Sequence, residues 1–346
     1  MYIPMLSAVE FLIIFPFVMG VLMWLMRRQS HLRSFVAGLG GFIIMAAAIV
    51  TSVSVLASSE GENNAFLIDA TVPEHFIMGG EIFLFCIVCF LSIKYRKYYC
   101  ILLAAAGTIP VLWMDFNGYA ETELPHLRVD YLSAVMMLIV GIVGVLICIY
   151  ACGYMQDYHE HHEDVKDRSN YFLGLLFIFL GAMFGLICSD NLGFIFFFWE
   201  ITSVCSFLLI GYTGTDEAVN NSFRALWMNL LGGFGFAIGL MYCDMQLHIY
   251  TLYDLTRVNP EAGSLLLVPV TLFAFAALTK SAQFPVSRWL LGAMVAPTPS
   301  SALLHSATMV KIGVYMLIRL SPMLKGNLTG IMVTVIGGFK IGRAHV

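Results

Sequence analysis

The stretch Leu278-Thr-Lys-Ser-Ala-Gln-Phe-Pro285 places a lysine, Lys280, at the end of a long apolar run and a proline five residues later. Proline has no backbone N–H, and its ring clashes with the preceding helical turn, so we expect the helix to break near Pro285. Two further prolines, Pro297 and Pro299, follow closely and precede another apolar run. We therefore predict helix breaks at these three prolines and a polar point within the surrounding helices.

The composition of the chain is that of an integral membrane protein. Of its 346 residues 60% are hydrophobic and only 12% are charged, whereas a soluble domain has about 25% charged residues. A membrane helix needs roughly 20 apolar residues, and ten runs approach or exceed that length. They are Ala8–Met26, Phe35–Ala57, Phe76–Ile93, Tyr98–Met114, Tyr131–Ala151, Tyr171–Cys188, Leu192–Tyr212, Phe223–Cys243, Leu265–Ala282 and Ser300–Leu320, and an eleventh, cut-off run follows from Leu328 to Phe339.

These runs predict helices rather than strands, because the ten-residue alternation of a membrane β-barrel is absent from them. The fold class that follows is all-α, a polytopic membrane helix bundle with about ten complete spans and a truncated one.

The loops between the runs alternate in charge. The loops after the first, third and fifth runs are basic, with Arg27, Arg28 and Arg33 in the first, Lys94, Arg96 and Lys97 in the second, and Lys166 and Arg168 in the third. The loops after the second and fourth runs are acidic, with Glu60, Glu62, Asp69 and Glu74 in one and Asp115, Glu121, Glu123 and Asp130 in the other. Because basic loops stay in the cytoplasm, we predict that the N-terminus lies outside.

Two patterns could bind a metal, but a structural interpretation is favoured for each. Cys86 and Cys89 form a C-x-x-C inside an apolar run, without a second cysteine pair or a histidine at zinc-site spacing. The loop from Asp157 to Asp164 holds three histidines among acidic residues, which is also typical of a solvated turn. We predict no metal and no redox cofactor in this chain, and no nucleic-acid partner.

Five ionisable residues within or near the runs are candidates for ion transport: Glu200, Lys280, His305, Lys311 and, as an accessory, Arg224. A carboxylate at the bilayer centre costs at least ~2.5–3.5 kcal/mol, so such residues are usually functional. The alternatives are a protonated packing glutamate, a lysine or arginine that reaches to the membrane surface, and a hydrogen-bonded core histidine. Glu10 and Glu81 are expected to be interfacial, because they lie near the ends of their runs.

A glutamate and a lysine facing each other would form a protonation switch. At about 6 Å and an effective dielectric constant near 20, the two charges attract by about 2.8 kcal/mol. Moving the lysine away would remove that attraction and favour proton uptake by Glu200.

Several motifs resemble the antiporter-like membrane subunits shared by respiratory complex I, energy-converting nickel–iron hydrogenases and multi-subunit sodium/proton antiporters. The resemblance extends roughly from Arg128 to Pro322 and is most specific around Lys280 and His305. The motifs are Tyr131-Leu-Ser-Ala, Tyr150-Ala-Cys-Gly-Tyr154-Met, Ser189-Asp-Asn-Leu192, Phe198-Trp-Glu200, Leu208-Leu-Ile-Gly-Tyr212, Thr279-Lys-Ser-Ala-Gln-Phe-Pro285 and Ala296-Pro-Thr-Pro-Ser-Ser-Ala302 through His305-Ser-Ala-Thr-Met-Val-Lys311.

The resemblance implies inverted five-helix repeats, each with a broken helix. Residues 1–130 would be N-terminal helices with a two-helix insertion at 76–114. Residues 131–298 would hold a peripheral helix and the first repeat, and residues 299–340 the start of a truncated second repeat. By the same resemblance, Glu200 matches the proton-channel glutamate and Lys280 its partner lysine. His305 matches the histidine of the central polar axis, and Lys311 matches a lysine of the hydrogenase and antiporter branches.

The turn from Val286 to Gly292 is most similar to the hydrogenase-associated branch. The resemblance therefore implies a proton- or sodium-translocating subunit of a bacterial or archaeal cell-membrane complex, most similar to an energy-converting hydrogenase. Its partners would be other membrane subunits and a peripheral redox arm with nickel–iron and iron–sulfur centres. The alternative is a subunit of a non-redox multi-subunit sodium/proton antiporter. A plain membrane anchor is disfavoured by the buried ionisable residues.

The final residues, Ile341-Gly-Arg-Ala-His-Val346, read like an in-frame translation of a sequencing adapter. We expect residues 341–346 to be a non-native tail and the natural protein to continue differently after Lys340.

Overall fold

The computed structural model describes residues 2–27, 29–57, 66–68, 74–116, 127–162, 165–258 and 265–344. Its elements, in chain order, are α1 (Tyr2–Leu25), α2 (Ser30–Ala57), β1 (Phe66–Ile68), α3 (Glu74–Lys94), α4 (Tyr98–Phe116), β2 (Leu127–Val129), α5 (Tyr131–Leu138), α6 (Val145–His161), α7 (Ser169–Cys188), α8 (Leu192–Ile210), α9 (Asp216–Tyr242), α10 (Leu252–Arg257), α11 (Leu267–Lys280), α12 (Arg288–Gly292), α13 (Thr298–Ala302), α14 (Met309–Leu324) and α15 (Leu328–Ala344).

The prediction of an all-α membrane helix bundle is confirmed. In the described part of the chain, nine helical stretches are long and apolar enough to cross a membrane, and each coincides with one of the ten predicted runs. Two of them are composite: α5 and α6 join through a π-helical turn, and so do α13 and α14. The exception to the all-helical pattern is the short antiparallel pair β1–β2, which lies outside the spans.

The remaining predicted run is a half-helix. Helix α11 has 14 residues, which is about 21 Å at 1.5 Å per residue and too short to cross a bilayer alone. The chain continues through a non-helical segment into the five-residue helix α12. A broken helix is therefore present where the sequence indicated one.

The break does not begin at Pro285, as the sequence predicted, but directly after Lys280. Gln283 N–H donates to the carbonyl oxygen of Leu278, and Ala282 adopts a left-handed conformation with φ +50°. This is the Schellman arrangement that commonly ends helices, here with alanine where glycine is usual. Helix α11 is thus already terminated when the chain reaches the proline.

The other two prolines begin a helix rather than break one. Pro297 is the residue that precedes α13, and Pro299 is the second residue of that helix. Proline is tolerated there because the first helical N–H groups have no partner within the helix. The chain is thus non-helical at Ala296 and Pro297, as predicted for Pro297, whereas Pro299 lies inside the new helix.

Helices α7 and α8 form the centre of the bundle, since 89% of the spanning residues of each are buried. Helix α1 packs on α7, α9 on α8 and α11, and α14 on α11. A helix that is apolar on all sides is expected to be enclosed by others, and α8 has this composition.

Helices α3 and α4 form an antiparallel pair, hereafter the hairpin, that packs against α8 and α9. It packs partly through a second, small apolar core, while Val111 and Met114 of α4 belong to the main core. The residues of this second core are Val88, Cys100, Ala104, Val204, Phe207, Phe223, Leu226 and Leu230. The hairpin contains the two helices predicted at residues 76–114, and their interpretation as an insertion stays a prediction.

An ion pair ties α14 to the start of α5. Both terminal nitrogens of Arg319 donate to the carboxylate of Asp130, and the guanidinium also donates to the hydroxyls of Ser133 and Tyr315. Asp130 additionally accepts the Ser133 N–H and so caps α5. Burial acts to raise the pKa of Asp130, but the hydrogen bonds and charge of Arg319 outweigh it and hold that pKa below its usual value.

Candidate functional site

Glu200 lies in the middle of α8, eight residues from its first residue, and is only 9% exposed. The neighbouring hydroxyls are occupied within the helix, since Thr202 and Ser203 both donate to the Trp199 carbonyl oxygen. Glu200 Oε1 is buried and has no hydrogen-bond partner among the described residues. A carboxylate in this setting is available for a proton or for a cation that approaches it.

Lys280 is fully buried and reaches from the end of α11 onto the turn of α8 that carries Glu200. Its Nζ donates to the Trp199 carbonyl oxygen at 2.9 Å and to Ser203 Oγ at 2.7 Å. The ammonium also lies 4.9 Å from the centre of the Trp199 indole. Trp199 and Ser203 flank Glu200 on α8, so the structure brings the two predicted residues together.

Two adjacent glycines of α9 make room for this pair of residues. A Cβ atom on Gly233 would fall within 3.0 Å of Glu200 Oε1, and one on Gly232 would fall within 3.0 Å of Thr279 Oγ1. Real Cβ contacts are essentially never that short. Both positions therefore exclude a side chain while Glu200 and α11 keep their places.

The broken helix exposes polar groups that its own turns do not satisfy. Trp289 of α12 is fully buried, and its indole N–H donates to the carbonyl oxygen of Thr279 at 3.0 Å. Gln283 Oε1 is buried without a partner among the described residues. Polar groups are thus present at the break, as the sequence predicted. The hydrogen bond from Trp289 joins α12 to the end of α11 across the break.

His305 contacts the second half of the broken helix. It lies in the π-helical turn between α13 and α14, and its Nε2 is 3.1 Å from the carbonyl oxygen of Leu290 in α12. The histidine therefore connects the break to the next span. Its assignment to a central polar axis stays a prediction.

Lys311 and Arg224 lie apart from the Glu200–Lys280 pair. Lys311 is exposed on α14 and forms no hydrogen bond or ion pair with any residue in the described ranges. Arg224 is exposed near the start of α9, and its Nη1 donates to Asn221 Oδ1 at 3.2 Å. For Arg224 this position agrees with the alternative of an arginine that reaches to the membrane surface.

Glu81 corrects an expectation and adds a residue to the site. The sequence placed it at the membrane interface, but it lies two turns inside α3 and is only 3% exposed. Glu81 and Glu200 line one cavity of about 20 Å³ between the hairpin, α8 and α9. The apolar run around Glu81 was the available signal, but sequence alone does not show which face of α3 is covered.

The two candidate metal patterns are partly within the described residues. His159 contacts the hydroxyl of Tyr212 through Nε2 at 3.0 Å, and Cys86 is exposed on the outer side of α3. The described ranges hold no group of three or more metal-ligating residues. Glu163 and Asp164, which complete the predicted histidine loop, lie outside those ranges.

Two family models match the chain. The model described as "NADH:quinone oxidoreductase/Mrp antiporter, TM" matches residues 189–340, which include the Glu200–Lys280 pair and His305. The model described as "NADH-Ubiquinone oxidoreductase (complex I), chain 5 N-terminus" matches residues 113–164. The chain belongs to the antiporter-like membrane subunit family of complex I and the Mrp antiporters. Most of the hairpin lies outside both matched ranges.

Curated relatives of this family include antiporter subunits. The "Putative antiporter subunit mnhA2" of Staphylococcus aureus is 36% identical over 236 residues, which are 63% of this chain and 28% of the relative. A probable K⁺/H⁺ antiporter subunit of Rhizobium meliloti is 38% identical over 226 residues, 63% of this chain and 20% of the relative. The chain thus spans less than a third of the length of these relatives.

Solved structures of family complexes share the fold. A chain of the membrane-bound sulfane sulfur reductase (MBS), an archaeal respiratory membrane complex, has a TM-score of 0.62 at 16% identity, covering 89% of this chain and 51% of its own. A chain of the Mrp complex from Dietzia sp. has a TM-score of 0.51 at 27% identity, covering 73% of this chain and 29% of its own. The first likeness concerns the fold alone. Neither these structures nor the curated relatives support the expected hydrogenase assignment.

Proposed function

We propose that this chain is a proton-translocating subunit of a multi-subunit cation/proton antiporter. The support is the 36–38% identity with proteins whose names describe antiporter subunits. The respiratory complex is similar at only 16% identity, so it carries no argument about redox chemistry. The antiporter function, given above as the alternative, is therefore preferred to the hydrogenase function that the turn from Val286 to Gly292 suggested.

The observation that carries the proposal is the position of Lys280 on the helical turn that carries Glu200. Both of its hydrogen-bond acceptors, the Trp199 carbonyl oxygen and Ser203 Oγ, are neutral. The seated ammonium stabilises an ionised Glu200 through charge attraction, by about 2.8 kcal/mol if the charges are about 6 Å apart at an effective dielectric constant near 20. When the lysine leaves this position, Glu200 loses that stabilisation and takes up a proton.

The half-helix provides a way to move the lysine. Lys280 is the last residue of α11, directly before the break. A helix end next to a non-helical segment can shift without displacing a whole span, as in transporters with discontinuous helices. In this proposal, cation movement elsewhere in the complex drives the shift, and the proton passes between Glu200 and the polar groups of the break.

The partners in this proposal are other membrane subunits and the surrounding lipid, and the transported ions are protons and Na⁺ or K⁺. Large apolar side chains such as Phe35, Phe42, Phe83 and Leu102 are exposed on the outer helices, which suits both lipid and membrane subunits. The proposal requires no redox cofactor in this chain.

The test is cation-driven proton movement in the assembled complex. The complex, purified through this subunit, is reconstituted into vesicles that contain a pH-sensitive dye, and Na⁺ or K⁺ is added as a pulse. We expect Glu200→Gln to lower the initial rate at least tenfold, because glutamine is nearly isosteric but carries no exchangeable acid proton. Glu10→Gln, which removes a half-buried carboxylate from α1, is the matched control and should keep the rate.

Two outcomes would contradict the proposal. A wild-type rate in the Glu200→Gln complex would remove this carboxylate from the transport path. A purified complex that contains stoichiometric nickel and iron, and that moves protons only during electron transfer, would show instead that the chain is a subunit of an energy-converting hydrogenase.

A further inference from the structure

The hairpin brings a second buried carboxylate to Glu200. Glu81 is 3% exposed and Glu200 is 9% exposed, and both line one cavity. Each has one buried oxygen, Oε2 of Glu81 and Oε1 of Glu200, without a hydrogen-bond partner among the described residues. Buried polar atoms are nearly always satisfied, so two unsatisfied carboxylates that line one cavity point to a water or a proton between them.

The cavity between the two carboxylates has the size of one water molecule. Its volume is about 20 Å³, and a buried water needs roughly 10–15 Å³ on the same measure. Besides the two glutamates, its lining is apolar except for Thr108 of α4. A single water there would have two carboxylates and one hydroxyl as partners, which is within the usual range of two to four hydrogen bonds.

A proton suits this cavity better than a metal cation. Hard cations such as Mg²⁺ and Ca²⁺ take six or more oxygen ligands, and most of this lining consists of carbon atoms. Two facing carboxylates without such a cation cannot both stay ionised at low cost, and they typically share one proton.

We propose that Glu81 is a second proton-carrying residue, which exchanges a proton with Glu200 through one water in this cavity. The proton transfer is balanced as a two-step relay. The O–H bond of protonated Glu81 breaks as the water gains that proton, and the water passes one of its other protons to Glu200. Glu81 is then the carboxylate and Glu200 the acid. The assignment rests on the proposed function of Glu200.

The position of Glu81 in the hairpin predicts the membrane face from which protons enter the relay. Because α3 and α4 are antiparallel, the end of α4 lies beside the start of α3, where Glu81 is seven residues, or about 10 Å, inside the helix. Asp115 lies near this end of α4. We therefore expect protons to reach the Glu81–Glu200 pair from the membrane face at which α4 ends.

The first test compares three variants in the assembled, reconstituted complex. We expect Glu81→Gln to lower cation-driven proton movement at least tenfold, since glutamine keeps the shape and hydrogen bonds but carries no acid proton. Glu81→Asp should keep part of the rate, because a proton carrier remains. Glu10→Gln should keep the full rate. A wild-type rate in Glu81→Gln overturns the proposal, and so does equal loss in Glu81→Gln and Glu81→Asp, which would indicate a packing role.

The second test does not depend on transport. Infrared difference spectra of the complex, recorded in H₂O and D₂O, report the carbonyl stretch of protonated carboxyl groups. We expect one such band to be lost in Glu81→Gln and to shift in frequency in Glu200→Gln, because the two groups share a proton. A band whose frequency is the same in Glu200→Gln as in the wild type overturns the proposal. A coupled band in a complex that exchanges no cation for protons would keep the Glu81–Glu200 pair and reject the antiporter function instead.

Discussion

Replacing Gly233 by alanine tests whether the exact position of the Glu200 carboxylate limits transport. The new Cβ would lie far inside the 3.0 Å limit of real Cβ contacts with Glu200 Oε1, so that oxygen must retreat by about 0.7 Å. The obstructing atom is the end of a flexible side chain, so we expect the Glu200 carboxylate to move while the backbone of α9 keeps its position. Overpacking of a core costs about 1–3 kcal/mol, whereas alanine in place of glycine returns about 1 kcal/mol of helix stability.

The expected effect is therefore on rate and not on folding. A misplacement of 1 Å can cost about a hundredfold in a reaction that depends on geometry. For a displacement of about 0.7 Å, we expect the initial rate of cation-driven proton movement to fall by roughly tenfold. The apparent melting temperature of the complex in detergent should change by no more than a few degrees.

The assay is the vesicle measurement with a pH-sensitive dye, at matched amounts of assembled complex. Gly38→Ala in α2 is the control, because a Cβ at Gly38 meets no atom within 4 Å. A Gly233→Ala complex that assembles normally and transports at the wild-type rate would refute the reasoning that Glu200 works only at its present position. A complex that fails to assemble would show instead that the helix yields, contrary to the expectation for a flexible side chain.

Two further predictions concern stability at the ends of the spans. Asp130→Asn should lower stability by about 3 kcal/mol at neutral pH, because Asp130 and Arg319 are each about four-fifths buried in their ion pair. Since the folded-state pKa of Asp130 is depressed, the wild-type advantage should be complete above about pH 4 and disappear as the pH falls through the folded pKa. Burial raises the pKa of Asp190 to about 6, so its carboxylate costs stability increasingly from about pH 4 to 6, and Asp190→Asn should stabilise the protein by up to about 3 kcal/mol above pH 6. Thermal unfolding in detergent across pH checks both, and a pH-independent difference would contradict either.

Much of the fold was predictable because a membrane span is a local property of the sequence. About 20 consecutive apolar residues must become a helix when backbone groups have no water to bind, and nine of the ten predicted runs became spans. The end of α11 was predicted less well. Pro285 was the visible signal, but Ala282 in a left-handed conformation ends the helix earlier, and alanine gives no such signal in the sequence.

Glu200 and Lys280 were predictable as members of the site, but Glu81 and the contacts between the residues were not. Depth along a helix can be read from sequence, whereas the face that a neighbour covers cannot. Glu81 and Lys311 both illustrate this limit: Glu81 is covered by α4, α8 and α9, and Lys311 is exposed. The hydrogen bonds from Lys280 to a turn about eighty residues earlier depend on tertiary packing.

The second core of the hairpin has an evolutionary consequence. Eight buried residues form this core between α3, α4, α8 and α9, and Val111 and Met114 of α4 join the main core. A lineage that gained or lost this pair of helices would therefore need compensating substitutions at these two contacts, both on one side of the bundle. Because the pair carries Glu81, its acquisition would have supplied a titratable group together with the helices that bury it. Grafting these helices onto a relative that lacks them would be the corresponding experiment in protein engineering.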